Sequence, residues 1–379
     1  MKKKKIKILF FISTLNGGGA ERILVELVNE ICKKPNLDIT VVTIFGNGIY
    51  ETSIDKKICK KNIFSGSTSS FWARLKKRIT LYFLCIMPAS LLHHFFIKDK
   101  YDIEIAFLEG ITTKIISGAD SSTRKYSWVH VNPILHPYST KGYINISYEK
   151  KCYQRFNDIF CVSDDVRNAF KQKYGIEADV LYNPIDRDEI LLKSRYAVND
   201  ISYPTGIHLV TVGRLVEQKG YDRLILALAS LKSEGYGFCL QIIGDGVLRT
   251  DLIKLVKTNH LEENIFFLGF TDNPYKYMKD ADLFVCSSIT EGFSTAVTEA
   301  VILGLPVLTT DCTGMHEIFG GSGCGKIVDN TQDGLLWGLK ELFDSPEILA
   351  HMKEASLKRS TDFSKKKSVD KILSAIQVE

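Results

Sequence analysis

The sequence predicts an α/β protein made of two doubly wound parallel domains. Short apolar, β-branched runs alternate with longer amphipathic stretches along almost the whole chain. The alternation breaks at a polar segment and then restarts. At 379 residues the chain is also too long for one ordinary hydrophobic core and long enough for two.

In the first half the expected strands are Ile6–Ser13, Asp38–Ile44, Asp102–Leu108, Lys125–Val129, Asp158–Ser163 and Asp179–Leu181. In the second half they are Ile207–Gly213, Phe238–Gly244, Asn264–Leu268, Asp282–Ser287 and Pro306–Thr310. The boundary falls near Asn183–Thr205, where Asn199, Asp200, Ser202 and Pro204 precede a fresh strand. The expected division is an N-terminal domain over 1–187, a linker over 188–205 and a second domain over 206–360. Residues 361–379 should form a C-terminal helix that packs back on the first domain.

Composition excludes some classes. With 45% hydrophobic and 25% charged residues the chain is an ordinary globular one, not a disordered one. A net charge of +5 is a mild excess that suits an anionic partner without naming it. The nine cysteines are odd in number and form no C-x-x-C pair, and several, such as Cys161 and Cys286, sit inside apolar runs, as buried thiols of a reducing compartment do. Lys2–Lys5 followed by Ile6–Leu15 has the look of a secretory leader, but no small-residue cleavage site follows. A buried first strand fits better, and a cytoplasmic location follows from it.

Phe71–Lys98 stands apart. Arg74, Lys76, Lys77 and Arg78 open it, and about 19 residues without Asp, Glu, Lys or Arg follow, the lower limit for a membrane span. Pro88 and the pair His93–His94 argue against a span. Two readings remain: a basic, aromatic-rich helix lying in the membrane interface, or an apolar helix packed on the first sheet.

Three motifs carry chemistry. After the first strand, Gly17-Gly18-Gly19 opens a helix that runs to about Ile31. Glycines let a ligand come close to the backbone, and free N–H groups at a helix start favour an anion. The dinucleotide fingerprint G-x-G-x-x-G is absent. In the second half, Gly213-Arg214 and Lys219-Gly220 flank the loop at the carboxyl end of a strand, where open α/β sheets bind ligands. A guanidinium fork and an ammonium suit a diphosphate that must leave with negative charge. Finally, Glu291 and Glu299 bracket Gly292-Phe293-Ser294-Thr295, with Ser294 a natural N-cap. Glu291 then lies in the loop and Glu299 about a turn into the helix, while the Ser294 and Thr295 N–H groups offer a phosphate site. Carboxylates accept paired hydrogen bonds from vicinal hydroxyls, so they suit sugars and riboses.

Glu291-Gly-Phe-x-x-x-x-x-Glu299, preceded by Gly213-Arg214-x-x-x-x-Lys219-Gly220 and Ile243-Gly244-Asp245-Gly246 and followed by Gly304-x-Pro306-Val307, resembles the family-4 retaining glycosyltransferases. These have the GT-B fold, two Rossmann-like doubly wound domains facing a cleft. Gly17-Gly18-Gly19-Ala20-Glu21-Arg22 is similar to the N-terminal loop of the polysaccharide-assembly members. The resemblance implies that Glu291 holds hydroxyls of a donor sugar and Glu299 those of a ribose. Arg214 and Lys219 would neutralise a diphosphate, and Gly18 and Gly19 would approach it. Gly17, Gly213, Gly244, Phe270, Gly292, Phe293, Ser294 and Thr295 complete the expected donor site. His130 stands where the family often carries a histidine near the sugar and is expected, with Glu291, Arg214 and Lys219, among the catalytic groups. Ser294 stands where the family often has proline, and Thr298 where an apolar residue is common.

The implied reaction is hexosyl transfer from a nucleotide-diphosphate sugar to a saccharide acceptor, lipid-linked if Phe71–Lys98 touches membrane, as in capsule, exopolysaccharide or O-antigen assembly. A UDP-hexose is favoured over GDP-mannose by family frequency alone. The protein would sit at the inner face of the cell membrane. No metal and no cofactor are expected: Asp186-Arg187-Asp188 and Asp280-Ala281-Asp282 lie at a linker and a strand start, and no zinc spacing occurs. A nucleotide-sugar 2-epimerase of the same fold is the nearest alternative. A dehydrogenase lacks its fingerprint here, and a nucleic-acid binder would need a denser basic face.

Overall fold

A computed structural model describes residues 5–64, 82–198 and 205–378. The chain forms two compact units, Met1–Pro184 with Lys366–Glu379 and Ile185–Lys365.

The first unit holds a parallel seven-stranded sheet. Its strands are β1 (Ile6–Ile12), β2 (Leu37–Phe45), β3 (Cys59–Phe64), β4 (Ile103–Ala106), β5 (Arg124–Val129), β6 (Asp158–Cys161) and β7 (Asp179–Val180), in the order β3-β2-β1-β4-β5-β6-β7. The second unit repeats the plan with β8 (Ile207–Val212), β9 (Phe238–Ile243), β10 (Ile265–Gly269), β11 (Leu283–Cys286), β12 (Val307–Thr310) and β13 (Gly325–Val328), ordered β10-β9-β8-β11-β12-β13. Both sheets reverse direction of winding once, between β1 and β4 and between β8 and β11. Ligands of open α/β sheets bind outside the carboxyl ends of the strands at such a switch point.

Central strands are continuous apolar runs because helices cover both faces. In β1, Ile8 to Ile12 are fully buried, and β9 is buried along its length. Two strands, β3 and β13, lie outside the sequence reading. Both are edges: Cys59-Lys60-Lys61-Asn62 is exposed and Gly325–Val328 half-buried, so neither shows an apolar run.

Helix starts follow local chemistry. Ser163 caps Asp164–Tyr174, Thr331 caps Gln332–Asp344 and Ser294 caps Thr295–Ile302, each side chain accepting an orphan N–H. In the second unit, Leu224, Leu228 and Leu231 of Tyr221–Ser233 and Leu335, Leu339 and Leu342 of Gln332–Asp344 join Leu240, Ile242 and Leu308 in the core. Gly244 is held at φ +144°, and a Cβ there would come within 2.0 Å of the Gly213 carbonyl oxygen. That close passage sets the carboxyl ends of β8 and β9 side by side.

The expected linker 188–205 is corrected in part. Arg187–Ser194 is a helix of the second unit, capped by Asp186 and neighbouring helices Tyr275–Met278 and Thr295–Ile302. Its short run of Ile190, Leu191 and Leu192 sits among charges and shows little amphipathic pattern, which hid it. Asp186 also pairs with Lys365 at 3.1 Å. The helix Lys365–Ala375 and the residues after it bury Val369, Ile372, Leu373, Ile376 and Val378; Lys371 bonds the Val180 carbonyl of the first unit.

Of Phe71–Lys98, residues 71–81 lie outside the described residues. The rest is not one helix: residues 82–86 are helical, Pro88 intervenes and Ala89–Phe96 follows. One side packs inward, with Leu84, Leu92 and Ile97 in the core beside Leu9, Phe11 and Ile115. Tyr82, Phe83, Ile86, Leu91 and Phe95 face solvent. The buried Lys114 anchors the segment, its Nζ donating to the carbonyls of Leu84 (2.7 Å) and Cys85 (2.6 Å). Among the described residues no helix is long and apolar enough to cross a membrane.

Candidate active site

In the second unit the switch point between β8 and β11 gathers the predicted groups. The loop after β8 carries Arg214, then a short 3-10 turn Glu217–Lys219 closed by Gly220 at φ +59°. The loop after β11 carries Ser287 to Ser294. Backbone and side-chain bonds stitch the two loops together. Ile289 N–H donates to the Gln218 carbonyl at 2.8 Å, Gln218 Nε2 to the Thr290 carbonyl at 2.9 Å and Ser287 Oγ to the Lys219 carbonyl at 2.8 Å. Arg223 clamps the Ser287 carbonyl from below at 2.7 Å and Asn330 at 2.9 and 3.0 Å.

This scaffold brings Lys219 and Glu291 into an ion pair of 2.6 Å. Ser288 Oγ donates to the same Glu291 oxygen at 2.7 Å. Burial alone would lower the Lys219 pKa; the Glu291 carboxylate outweighs it and raises the value above the usual lysine range. The ammonium therefore keeps its charge at neutral pH. Lys219, Thr211, Tyr221, Cys286, Ser288 and Ser294 line a small recess. Arg214 is exposed and has no ion-pair partner among the described residues.

Glu299 lies beyond the Ser294 cap, in the second turn of Thr295–Ile302. It is buried, and the Tyr275 hydroxyl donates to it at 3.4 Å. A solvated surface acid is thereby excluded for this position. Gly292 is buried and Phe293 and Thr295 partly so, while Phe270, after β10, is 53% exposed.

The first unit presents a second set at its own switch point. Gly17 needs its glycine, with φ +103°. The expectation of free N–H groups needs correction at Gly18. Its N–H donates to the Glu21 carboxylate at 2.7 Å, and Thr14 Oγ1 donates to the other Glu21 oxygen. Glycine at the N-cap with glutamate at the third helical position makes a cap from within, so the chain itself supplies the anion.

His130 follows β5 and is buried, with its ring 4.9 Å from that of Phe107. Burial lowers its pKa to about 3, against a hydrogen bond from the ring to the Phe107 backbone. Nε2 has no hydrogen-bond partner among the described residues, so the bonded nitrogen is Nδ1. The imidazole is thus neutral at physiological pH, and its Nε2 lone pair awaits a donor.

Glu109, beyond the end of β4, escaped the sequence reading. Its carboxyl is buried and accepts the His130 N–H at 2.9 Å and the Tyr138 hydroxyl. Burial raises its pKa against those two bonds. An acid just past the predicted strand Asp102–Leu108 was the available signal, but no second residue nearby in sequence completed a pattern.

The two aspartate triplets serve the fold. Asp186 caps a helix, and Asp282 accepts the His208 N–H at 2.9 Å. Among the described residues no cluster of three or more His, Cys, Asp or Glu is arranged to hold a metal ion.

Comparison with known proteins decides the class. Residues 201–359 match the family described as glycosyl transferases group 1. At 29% identity over 95% of this chain and 96% of its own length, the chain is similar to the N-acetylgalactosamine-N,N'-diacetylbacillosaminyl-diphospho-undecaprenol 4-alpha-N-acetylgalactosaminyltransferase of Campylobacter jejuni. HepE of Anabaena, solved with UDP and glucose, superposes with a TM-score of 0.72 at 19% identity, over 98% of this chain and 99% of that one. The chain has the GT-B fold and carries a glycosyltransferase domain over residues 201–359. A sucrose-phosphate synthase from Thermosynechococcus elongatus shares the fold with a TM-score of 0.78 at 14% identity, over 98% of both chains. The matched residues 201–359 include Arg214, Lys219, Glu291 and Glu299.

Proposed function

We propose that this enzyme moves a hexosyl unit from a UDP-hexose to a lipid-linked saccharide, with retention at the anomeric carbon, in cell-surface polysaccharide assembly. The observation that carries the donor side is the ion pair of Lys219 with Glu291 at a switch point. A fixed cation beside a fixed carboxylate matches a diphosphate joined to a sugar: the ammonium meets phosphate oxygens and the carboxylate meets hydroxyls. The acceptor class follows from relatives whose names specify diphospho-undecaprenol-linked sugars.

In this reading the glycosidic C–O bond to the diphosphate breaks with oxocarbenium character. Arg214, Lys219 and the N–H groups at Ser294 and Thr295 stabilise the charge that develops on the diphosphate, with no metal ion required. The acceptor oxygen bonds the anomeric carbon from the same face, and its proton passes to the departing phosphate oxygen. Glu291 holds sugar hydroxyls, Glu299 holds those of the ribose, and His130 accepts a hydroxyl hydrogen bond at neutral Nε2. The exposed Tyr82, Phe83, Ile86, Leu91 and Phe95 would rest in the headgroup region of the inner membrane face, as a peripheral contact.

The test is a panel of UDP- and GDP-sugars with EDTA present and nucleoside diphosphate release as readout. One donor should be consumed, activity should survive EDTA, and Glu291→Ala should abolish release. Silence across the panel, repeated with magnesium and a lipid-linked acceptor pool, would refute hexosyl transfer. A product of inverted anomeric configuration by NMR would refute retention.

A further inference from the structure

Glu109 is a buried acid that the proposed reaction leaves unused. It lies just past the end of β4, one of the two strands that define the switch point of the first unit. β4 pairs with β5 in register, Ala106 opposite Ser127, so Glu109 and His130 emerge from adjacent strands at the same sheet edge. The Glu109 side chain accepts the His130 N–H at 2.9 Å through Oε2 and the Tyr138 hydroxyl through Oε1. Among the described residues no cation pairs with it.

An unpaired buried carboxylate costs stability, and an apolar or amide side chain would fill the place at lower cost. Its geometry accounts for its presence. One oxygen fixes the main chain of His130, whose ring is fixed in turn by Phe107. The other oxygen holds Tyr138, a residue 48% exposed. What these bonds fix in place is a single group: the buried Nε2 of His130, a lone pair without a donor. Such an acceptor is useful only if it is aimed, because a sugar hydroxyl must arrive within hydrogen-bond distance and in line.

We infer that Glu109 is a positioning residue for His130, and that Tyr138 completes the arrangement by tying the segment after His130 to the same carboxylate. The inference rests on His130 meeting a sugar hydroxyl. Glu109 then acts through His130 and not on substrate. The raised pKa of the buried carboxyl adds a consequence. The tether is strongest when Glu109 is ionised, so turnover should fall with acidification above the ordinary carboxylate range.

The experiment is a double-mutant cycle on the full chain: wild type, Glu109→Gln, His130→Ala and the pair together. Turnover is followed with the UDP-sugar that the donor panel identifies. We expect Glu109→Gln to lower kcat about 10- to 100-fold with donor KM within about threefold. In the His130→Ala background the same substitution should change kcat by less than about twofold. The acid limb of the wild-type pH profile should be absent in Glu109→Gln. Tyr138→Phe leaves the carboxylate in place and should give a smaller, equally non-additive loss, which covers the case of a Glu109→Gln protein that does not fold. Independently of activity, 15N NMR should find the His130 ring in wild type as one neutral tautomer, and in Glu109→Gln or Tyr138→Phe as a mixture. Equal losses from Glu109→Gln with and without His130 would overturn the positioning role, as would an unchanged tautomer signal in both variants. Full turnover in His130→Ala would remove His130 from the reaction, and this role of Glu109 with it.

Discussion

Glu291→Gln and Lys219→Met separate the two halves of the proposed donor site. The pair is 2.6 Å long with side chains 21% and 11% exposed, so it lies between a surface bridge and a buried one. Surface bridges contribute about 0–1 kcal/mol, and losing one partner of a buried pair costs about 3–5 kcal/mol. An intermediate cost of about 2–3 kcal/mol is expected for Glu291→Gln, which leaves the Lys219 ammonium facing a neutral amide. For a unit of this size that lowers Tm by about 4–12 °C. The pH dependence has a definite sign. Glu291 raises the Lys219 pKa above its unfolded value, so the pair stabilises fully below the unfolded lysine pKa. The Tm difference between wild type and Glu291→Gln should therefore be constant through neutral pH and close as pH rises through the raised value. Binding divides the pair differently. UDP carries the phosphates but no hexose, so Lys219→Met should lose a charge-assisted contact of about 1.5–3 kcal/mol, or about 10- to 150-fold in affinity. Glu291→Gln should bind UDP within about threefold of wild type while losing turnover of the sugar nucleotide. Calorimetric titration with UDP decides it. Equal losses of UDP affinity in both variants would make the pair a structural strut and refute the division of labour.

Three more outcomes follow from buried or exposed groups in the first unit. His130 has a folded pKa of about 3, so its neutral form stabilises the fold above the ordinary histidine value, and that contribution is lost as pH falls towards 3. His130→Phe should flatten the fall of Tm between about pH 6 and pH 4, read by thermal melts. Lys114→Met leaves the carbonyls of Leu84 and Cys85 without their donor and should cost about 2–4 kcal/mol in urea melts, with enhanced amide exchange over 84–92. Phe83→Ser with Phe95→Ser removes two exposed rings, and recovery on vesicles of anionic lipid should fall at least tenfold with Tm unchanged; unchanged recovery would remove these rings from any membrane contact.

The fold was legible where burial writes itself into composition. Strands such as β1 and β9 are covered on both faces, so their apolar runs announce them. The edges β3 and β13 have one neighbour each and carry lysine and asparagine or stand half-exposed, so no pattern marks them. The donor motifs were legible as residue types at fixed spacing. Their pairing was not, because Lys219 and Glu291 are 72 positions apart and meet only through the neighbouring carboxyl ends of β8 and β11. Glu109 shows the same limit more sharply. Its partners lie 21 and 29 residues away: the register of β4 against β5 brings His130 beside it, and the turn Pro137–Gly142 beyond β5 returns Tyr138 to it. The two-piece form of 82–96 was readable from Pro88, which cannot donate within a helix.

Glu21 bears on how far a glycine loop can be read as an anion site. Three glycines before a helix expose N–H groups in principle, and the sequence reading placed a diphosphate there. Yet the same sequence puts a glutamate three residues after Gly18, where it can return to the N-cap N–H, and the structure has that bond at 2.7 Å. A diphosphate at this spot would have to displace the carboxylate, losing the cap, or lie beside it. Two unit charges about 5 Å apart repel by about 3 kcal/mol at an effective dielectric of 20. Either route weakens binding, so the favourable field of the helix start is already spent within the chain. Glu21→Gln keeps the hydrogen bond to Gly18 and removes the charge. If the loop serves only the turn, the affinity for UDP stays within about twofold of wild type, and Tm falls by the few degrees that a lost N-terminal charge costs. This is the expected result. A fivefold or greater tightening of UDP on Glu21→Gln would mean that phosphate does reach the loop against the carboxylate, and Gly17, Gly18 and Gly19 would return to the donor site.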